Sequence, residues 1–255
     1  MRYIPLLGKA GFALFALALG LGLVAAFGTR FGLWNYHVGL FGIYPWSVYA
    51  AIAGAVLGLA WAVGALIAKS GAGARYGAVA LAGSLVLIGP PVYYMLVAPT
   101  LPPIHDVTTD IEYPPRFEAV LPLRGSAENS ARYEGTRRVF FKKRWHTVSW
   151  LQRRYYGDIH PIGVLVPPAK LFWRAFDTAK AMGWTIVAFD ARRGRIEATD
   201  TSFFFGFTDD IVIRVQPSGE GARLDIRSAS RDGTTDVGEN AARIRSFVKK
   251  LASRG

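Results

Sequence analysis

Asp210-Ile-Val-Ile-Arg-Val-Gln216, Pro217-Ser-Gly-Glu-Gly221 and Ala222-Arg-Leu-Asp-Ile-Arg-Ser228 form the stretch on which the fold of the C-terminal half turns. Ile211, Ile213 and Val215 fall on one side of an extended chain and Arg214 on the other. Leu224 and Ile226 likewise oppose Arg223, Asp225 and Arg227. Successive side chains leave a strand on opposite faces, so this alternation predicts two half-buried strands. The Pro, Ser and Gly between them have hairpin composition.

Working outward, Trp184–Asp190 and Arg195–Phe204 read as two more strands around a turn at Ala191–Gly194. Ile196 and Ala198 lie opposite Glu197 and Thr199. Upstream, Pro167-Pro168 opens a helix over about Ala169–Met182, with Leu171, Phe172, Ala175, Phe176, Ala179 and Met182 at the 3–4 spacing of one face. Gly183 is its natural stop. Downstream, Asp236 is a candidate N-cap, and Glu239 three residues later completes a capping box. Val237, Ala241, Ile244, Val248 and Leu251 give that last helix its buried stripe. The order α-β-β-β-β-α predicts an α+β domain: an antiparallel four-stranded sheet with helices on one face. Its other face is expected to be polar or covered by residues 111–165. The domain is expected over 131–255, after a Pro-rich extended entry at 99–130 and a membrane region at 1–98. Residues 131–160 read as a helix plus a loop.

The front of the chain has a different composition. Residues 1–105 hold no Asp or Glu and five basic residues, Arg2, Lys9, Arg30, Lys69 and Arg75. All 18 acids lie beyond, with the other 25 basic residues, a net +7. That asymmetry excludes a single soluble domain and a disordered chain, and the absence of Cys excludes a disulfide-stapled mini-protein. Three uncharged apolar runs, at about 10–27, 46–68 and 77–97, are long enough to cross a bilayer as helices. Trp34, Tyr36, Tyr44, Trp46, Tyr76, Tyr93 and Tyr94 mark the interfaces. Gly54 and Gly58 form a GxxxG pair that lets another helix approach closely. Pro90-Pro91 predicts a kink or an early end in the third span. Lys9 ahead of the first run and the small residues Val24-Ala25-Ala26 also fit a cleaved signal peptide, although the run is long for one.

Short-loop basic residues set orientation. Arg2, Lys9, Lys69 and Arg75 against Arg30 alone predict a cytoplasmic N-terminus. The C-terminal domain is then periplasmic or otherwise extracytoplasmic, in the inner (plasma) membrane. No ionisable residue lies within a span, so the spans read as an anchor rather than a transport path.

Four clusters are candidates for chemistry. Arg132, Arg137, Arg138, Lys142, Lys143, Arg144, Arg153 and Arg154 are interleaved with Phe140, Phe141, Trp145 and Trp150. Arg137, Arg138, Lys142, Lys143, Arg144 and Trp145 are the expected membrane-surface contacts, with anionic lipid head groups or another membrane protein as partner. An external location disfavours nucleic acid. Arg227, Ser230, Arg231, Asp236, Asn240 and Arg243 run from a strand end into a helix N-terminus and are the expected anion-binding residues. The competing reading is that Asp236 caps the helix and the arginines pair with nearby acids. His105, Asp106 and Asp110 could ligate a metal, against the reading of an Asx turn. Asp209 and Asp210 point to opposite faces of a strand, so they fit a turn better than a catalytic pair. No Walker loop, GxSxG or HExxH is present, and no cofactor is expected. The sequence therefore favours a non-catalytic envelope binding module. The alternative is a metal-assisted hydrolase or transferase built on His105, Asp106 and Asp110.

Arg195-Ile-Glu-Ala-Thr-Asp200, Phe205-Gly-Phe-Thr-Asp-Asp-Ile-Val-Ile-Arg214 and Asp225-Ile-Arg-Ser-Ala-Ser-Arg231 carry a further signal. Gly233, Asp236, Gly238, Asn240, Ala241, Arg243-Ile244, Met182-Gly-Trp184 and Ile104-His-Asp-Val-Thr-Thr-Asp110 belong with them. Over about residues 100–252 this set resembles the bacterial and plastid family of domain of unknown function 1499. The resemblance implies a domain that is often exported or membrane-attached, and it implies no reaction. The chain departs from the family pattern at Asp232 and Thr235, and in Arg153-Arg154-Tyr155-Tyr156.

Overall fold

A computed structural model of the chain describes residues 3–253. Arg2, counted above in the orientation argument, lies outside the described residues. The chain divides into two compact units. The first runs to Leu96 and also includes Ser202–Gly206; the second is Val97–Thr201 with the chain from Phe207 onward.

The first unit has three helices: α1 (Ile4–Arg30), α2 (Tyr44–Ile67) and α3 (Ala74–Val97). A π-helical segment, His37–Ile43, leads into α2. All three are long and apolar enough to cross a membrane. Apart from Ile4, their buried positions are small residues, among them Gly11, Ala18, Ala25, Gly54, Gly58, Ala80 and Ser84. Small residues let helix backbones close on one another where lipid supplies no hydrophobic drive. The GxxxG pair serves helices of this same chain. A Cβ on Gly58 would lie 2.8 Å from the Leu81 nitrogen, and one on Gly54 3.2 Å from the Gly11 carbonyl oxygen. The Ser47 hydroxyl donates to the Ala18 carbonyl at 2.7 Å. The helix does not end early: α3 continues through Pro90 and Pro91 to Val97. The proline ring holds φ near the helical value, and a membrane helix tolerates the missing donor.

The second unit is built on β1 (Asp106–Thr108), β2 (Arg138–Phe141), β3 (Arg144–Thr147), α4 (Val148–Tyr155), β4 (Ile162–Val164) and α5 (Pro168–Ala181). It continues with β5 (Thr185–Asp190), β6 (Arg195–Thr201), β7 (Thr208–Ser218), β8 (Gly221–Ser230) and α6 (Glu239–Ala252). β5 to β8 form the expected antiparallel meander, with Ile213 opposite Ile226 and Val215 opposite Leu224. The sheet has six strands rather than four, because β1 and β4 both pair with the outer edge of β8. Each is three residues long, too short to show a period in sequence. Residues 131–160 are also not a helix plus a loop. They form a separate β2–β3 hairpin followed by α4, whose Thr147 side chain accepts from the Trp150 N–H. The Pro-rich 99–130 stretch contributes β1 and buries Phe117 and Val120.

The main core lies between one sheet face and the helices. Leu171, Phe172, Ala175 and Ala179 of α5 and Ala241, Ile244, Phe247 and Leu251 of α6 meet Ile196, Ile211, Ile213, Leu224 and Ile226. Phe247, absent from the stripe read in sequence, stacks on Trp184 at 5.4 Å. The start of α6 also differs from the expected capping box. Gly238, at φ +85°, precedes Glu239, which is the first helical residue. Asp236 lies two residues ahead of that cap and accepts from the Gly238 N–H at 2.8 Å and the Asn240 N–H at 3.0 Å. Only a residue without Cβ takes that backbone conformation freely.

Candidate functional site

The β2–β3 hairpin gathers the basic and aromatic residues on one small element, with Arg138, Phe140 and Trp145 on one face and Phe141, Arg144 and His146 on the other. Its register pairs Phe140 with Trp145 across the strands, and their rings meet edge-on at 5.5 Å. Both are more than half exposed, at 58% and 59%. On the opposite face Phe141 turns into the core, which orients the hairpin. The turn is Lys142-Lys143, with φ of 47° and 65°. Two positive φ values are what a two-residue hairpin needs for its twist to match the strands, and Asn-Gly is the usual solution. Lysine at both positions is strained, so the tip carries charge where the backbone favours other residues.

Residues 135–157 contain seven Lys or Arg and no Asp or Glu. Arg137 is drawn to the base of the hairpin, 3.1 Å from Glu134 and 3.1 Å from His105 Nε2. Arg153 pairs with Glu112. Arg138, Lys142, Lys143, Arg144 and Arg154 make no ion pair with described residues. Three of them lie by aromatic rings: Arg138 by Trp145, Lys142 by Phe141 and Tyr155, and Arg154 by Tyr155. The half-exposed Trp150 stacks on His146 at 4.2 Å. Such a surface can take an anionic partner that also offers apolar contact.

The second face of the large sheet is a layer of ion pairs, closed over by residues 106–131. Arg227 is fully buried and binds Asp106 in a fork, at 2.9 and 2.7 Å. It also donates to the Pro115 and Ala131 carbonyls and lies over the rings of Phe117 and Tyr133. Asp210 takes Arg124 and Arg231; Asp225 and Asp110 share Arg214 and Arg223. The Glu197 carboxylate accepts from the Glu118 and Val120 N–H groups and from Arg195. Phe117, Val120, Val212 and Ala229 form a small apolar patch among them. A family model described as "Protein of unknown function (DUF1499)" matches residues 106–251. The chain belongs to this DUF1499 family. No curated protein matches it.

Within the DUF1499 domain, the segment expected to bind an anion comes together, but its groups face internal partners. Asn240 Nδ2 donates to Ser230 Oγ at 2.9 Å and to the His105 carbonyl at 3.1 Å. Arg243 binds Asp200 at 2.9 Å and Asp209 at 2.6 Å, and donates to Asn240 Oδ1. Arg231 and Arg227 are held as described. The Asp236 carboxylate itself fills the helix N-terminus. Burial raises its pKa from 3.8 to about 6, against the two N–H groups that favour the charge.

The three expected metal ligands are neighbours in the DUF1499 domain but do not converge as a donor set. Asp106 faces Arg227, and Asp110 faces Arg214 and Arg223 while accepting from the Glu112 and Tyr113 N–H groups. That last pair is an Asx turn. Guanidinium groups donate only, so these carboxylates sit in surroundings that repel a cation. Among described residues no three His, Cys, Asp or Glu side chains are grouped to hold a metal. His105 is buried, and burial lowers its pKa. Its Nε2 receives the Arg137 N–H, which requires the neutral ring. Asp209 and Asp210 separate to opposite faces, one to Arg243 and the other to Arg124 and Arg231.

Sequence reading missed the partners of this ion-pair layer. The alternation of Glu197, Arg214, Arg223, Asp225 and Arg227 marked one sheet face as charged, but nothing in it pointed to acids and carbonyls a hundred residues away.

Proposed function

We propose that this chain is a multi-pass protein of the inner (plasma) membrane. It presents its DUF1499 domain outside the cytoplasm as a non-catalytic binding module, with the β2–β3 hairpin docking on anionic lipid head groups. One observation carries the reading. Five cations with no acidic partner among the described residues and three exposed aromatic rings, Phe140, Trp145 and Trp150, are concentrated on one small hairpin-helix element, with Arg138, Phe140 and Trp145 on one face of the hairpin and Arg144 on the other. Each cation near an anionic lipid surface contributes about 1 kcal/mol, and the attraction fades within a Debye length. Aromatic rings suit the boundary between head groups and acyl chains. The proposed orientation is supported by Lys9, Lys69 and Arg75 on one side against Arg30 on the other.

The test reconstitutes the full chain in nanodiscs of phosphatidylcholine alone or with phosphatidylglycerol, and follows amide hydrogen exchange over residues 138–155. Slower exchange in the anionic discs, reversed by high salt, is expected. Equal exchange in both discs overturns lipid docking and leaves a protein partner as the occupant to seek.

A further inference from the structure

The loop Ser202–Gly206 clusters with the three apolar helices of the first unit. Its sequence is Ser-Phe-Phe-Phe-Gly, and Phe203 and Phe204 are 66% and 55% exposed. The loop is built to display them. The Ser202 hydroxyl donates to the Phe204 carbonyl at 2.6 Å, and the Gly206 N–H donates to the same carbonyl at 2.8 Å. Phe205 and Gly206 both adopt positive φ, 60° and 69°. A bulky residue in that region is a backbone outlier, and such strain persists only where the surroundings impose it. The two exposed rings meet edge-on at 5.1 Å, and Phe27 of α1 lies 5.8 Å from Phe203 and 6.1 Å from Phe204. Tyr44, at the start of α2, lies 5.8 Å from Phe205. The Arg30 guanidinium donates to the Ser202 and Phe203 carbonyls.

Phe31 and Phe41, between α1 and α2, and Trp46, in the first turn of α2, are exposed. Interfacial aromatics of this kind mark the level of the head groups. Phe203 and Phe204 extend the lipid-facing surface of the helices at that level. Arg30 satisfies two carbonyls that would otherwise lie unpaired near hydrocarbon.

We propose that Phe203 and Phe204 insert into the boundary between head groups and acyl chains at the Arg30 end of the helices, as a second lipid contact separate from the basic hairpin. The inference rests on the helices spanning the bilayer and not on the hairpin reading. The chain has no cysteine, so single nitroxide labels can be placed cleanly. Phe203→Cys, Phe204→Cys, Val56→Cys on the exposed face of α2 and Glu220→Cys in the β7–β8 turn are each labelled in the full chain and reconstituted in nanodiscs. Collision rates with oxygen and with a water-soluble nickel chelate are compared. Labels at 203 and 204 are expected to favour oxygen, as at 56, while 220 favours the chelate. Labels at 203 and 204 that match 220 overturn the inference. A membrane-type result at 56 keeps the spans intact in that case, so the two readings fail separately.

Discussion

Arg227 shows how much one side chain can organise. It is fully buried, forked onto Asp106, and bonded to carbonyls at 115 and 131, so a single cation fixes three points of the covering segment. A buried charge that loses its partner is strongly unfavourable. Arg227→Met is therefore expected to destabilise the protein by roughly 3–5 kcal/mol. Adding Asp106→Leu should recover much of that loss, because both charges are then gone. Thermal melting of the two variants in detergent checks this, and equal melting of single and double variants would refute it. Asp236 gives a prediction in pH. Its ordinary pKa is 3.8 and its folded value about 6, so between these values the folded protein holds the extra proton. Its contribution to stability then falls as pH rises from about 4 to 6, and above that the ionised carboxyl is a net burden. Asp236→Asn keeps one oxygen for the Gly238 N–H but puts an NH2 group where Oδ2 accepts from the Asn240 N–H, a loss that does not vary with pH. Relative to the wild type it should gain stability across that window and level off above it; a difference flat with pH would contradict the assignment.

At the scale of elements, legibility followed length and period. α5, α6 and the β5–β8 meander span enough residues to display a 3.6 or a 2 periodicity, and each was readable to within a few residues at its ends. β1, β4 and the β2–β3 hairpin were not. They hold three or four residues each, and pairing with a distant partner makes them strands. The proposed lipid site lies on one of these illegible elements. Its composition was visible as interleaved cations and aromatics, but not the turn that sets Phe140 and Trp145 outward and Phe141 inward. That turn allows stability and charge to be separated. Replacing Lys142-Lys143 by Asn-Gly should stabilise the hairpin by about 1 kcal/mol by relieving two left-handed lysines. The same change removes two charges. Slower hydrogen exchange in neutral nanodiscs together with less added protection in anionic ones is the expected pair of results. Undiminished protection by anionic lipid would mean the tip lysines take no part in binding.

At the scale of the whole molecule, a fusion of alkaline phosphatase to the C-terminus tests the proposed address. Activity is expected because that enzyme folds only outside the cytosol, and a fluorescent cytosolic reporter at the same position should stay dark. The reverse pattern would place the DUF1499 domain inside and remove its envelope role. The division into three apolar helices long enough to cross a membrane and a charged domain was legible in the sequence alone. A helix that crosses lipid needs about twenty uncharged residues in a row, and such runs are countable. The hairpin-rich meander was likewise determined, since local alternation is a property of consecutive residues. Tertiary structure alone decided the fate of the charges. In sequence, Arg227, Arg231 and Arg243 stood either open to an anion or paired with acids close by in the chain, and only folding brought Asp106, Asp210 and Asp200 to them. Charge is written in a sequence, but whether a charge is spent on the fold or left for a partner depends on distances that only the folded chain sets.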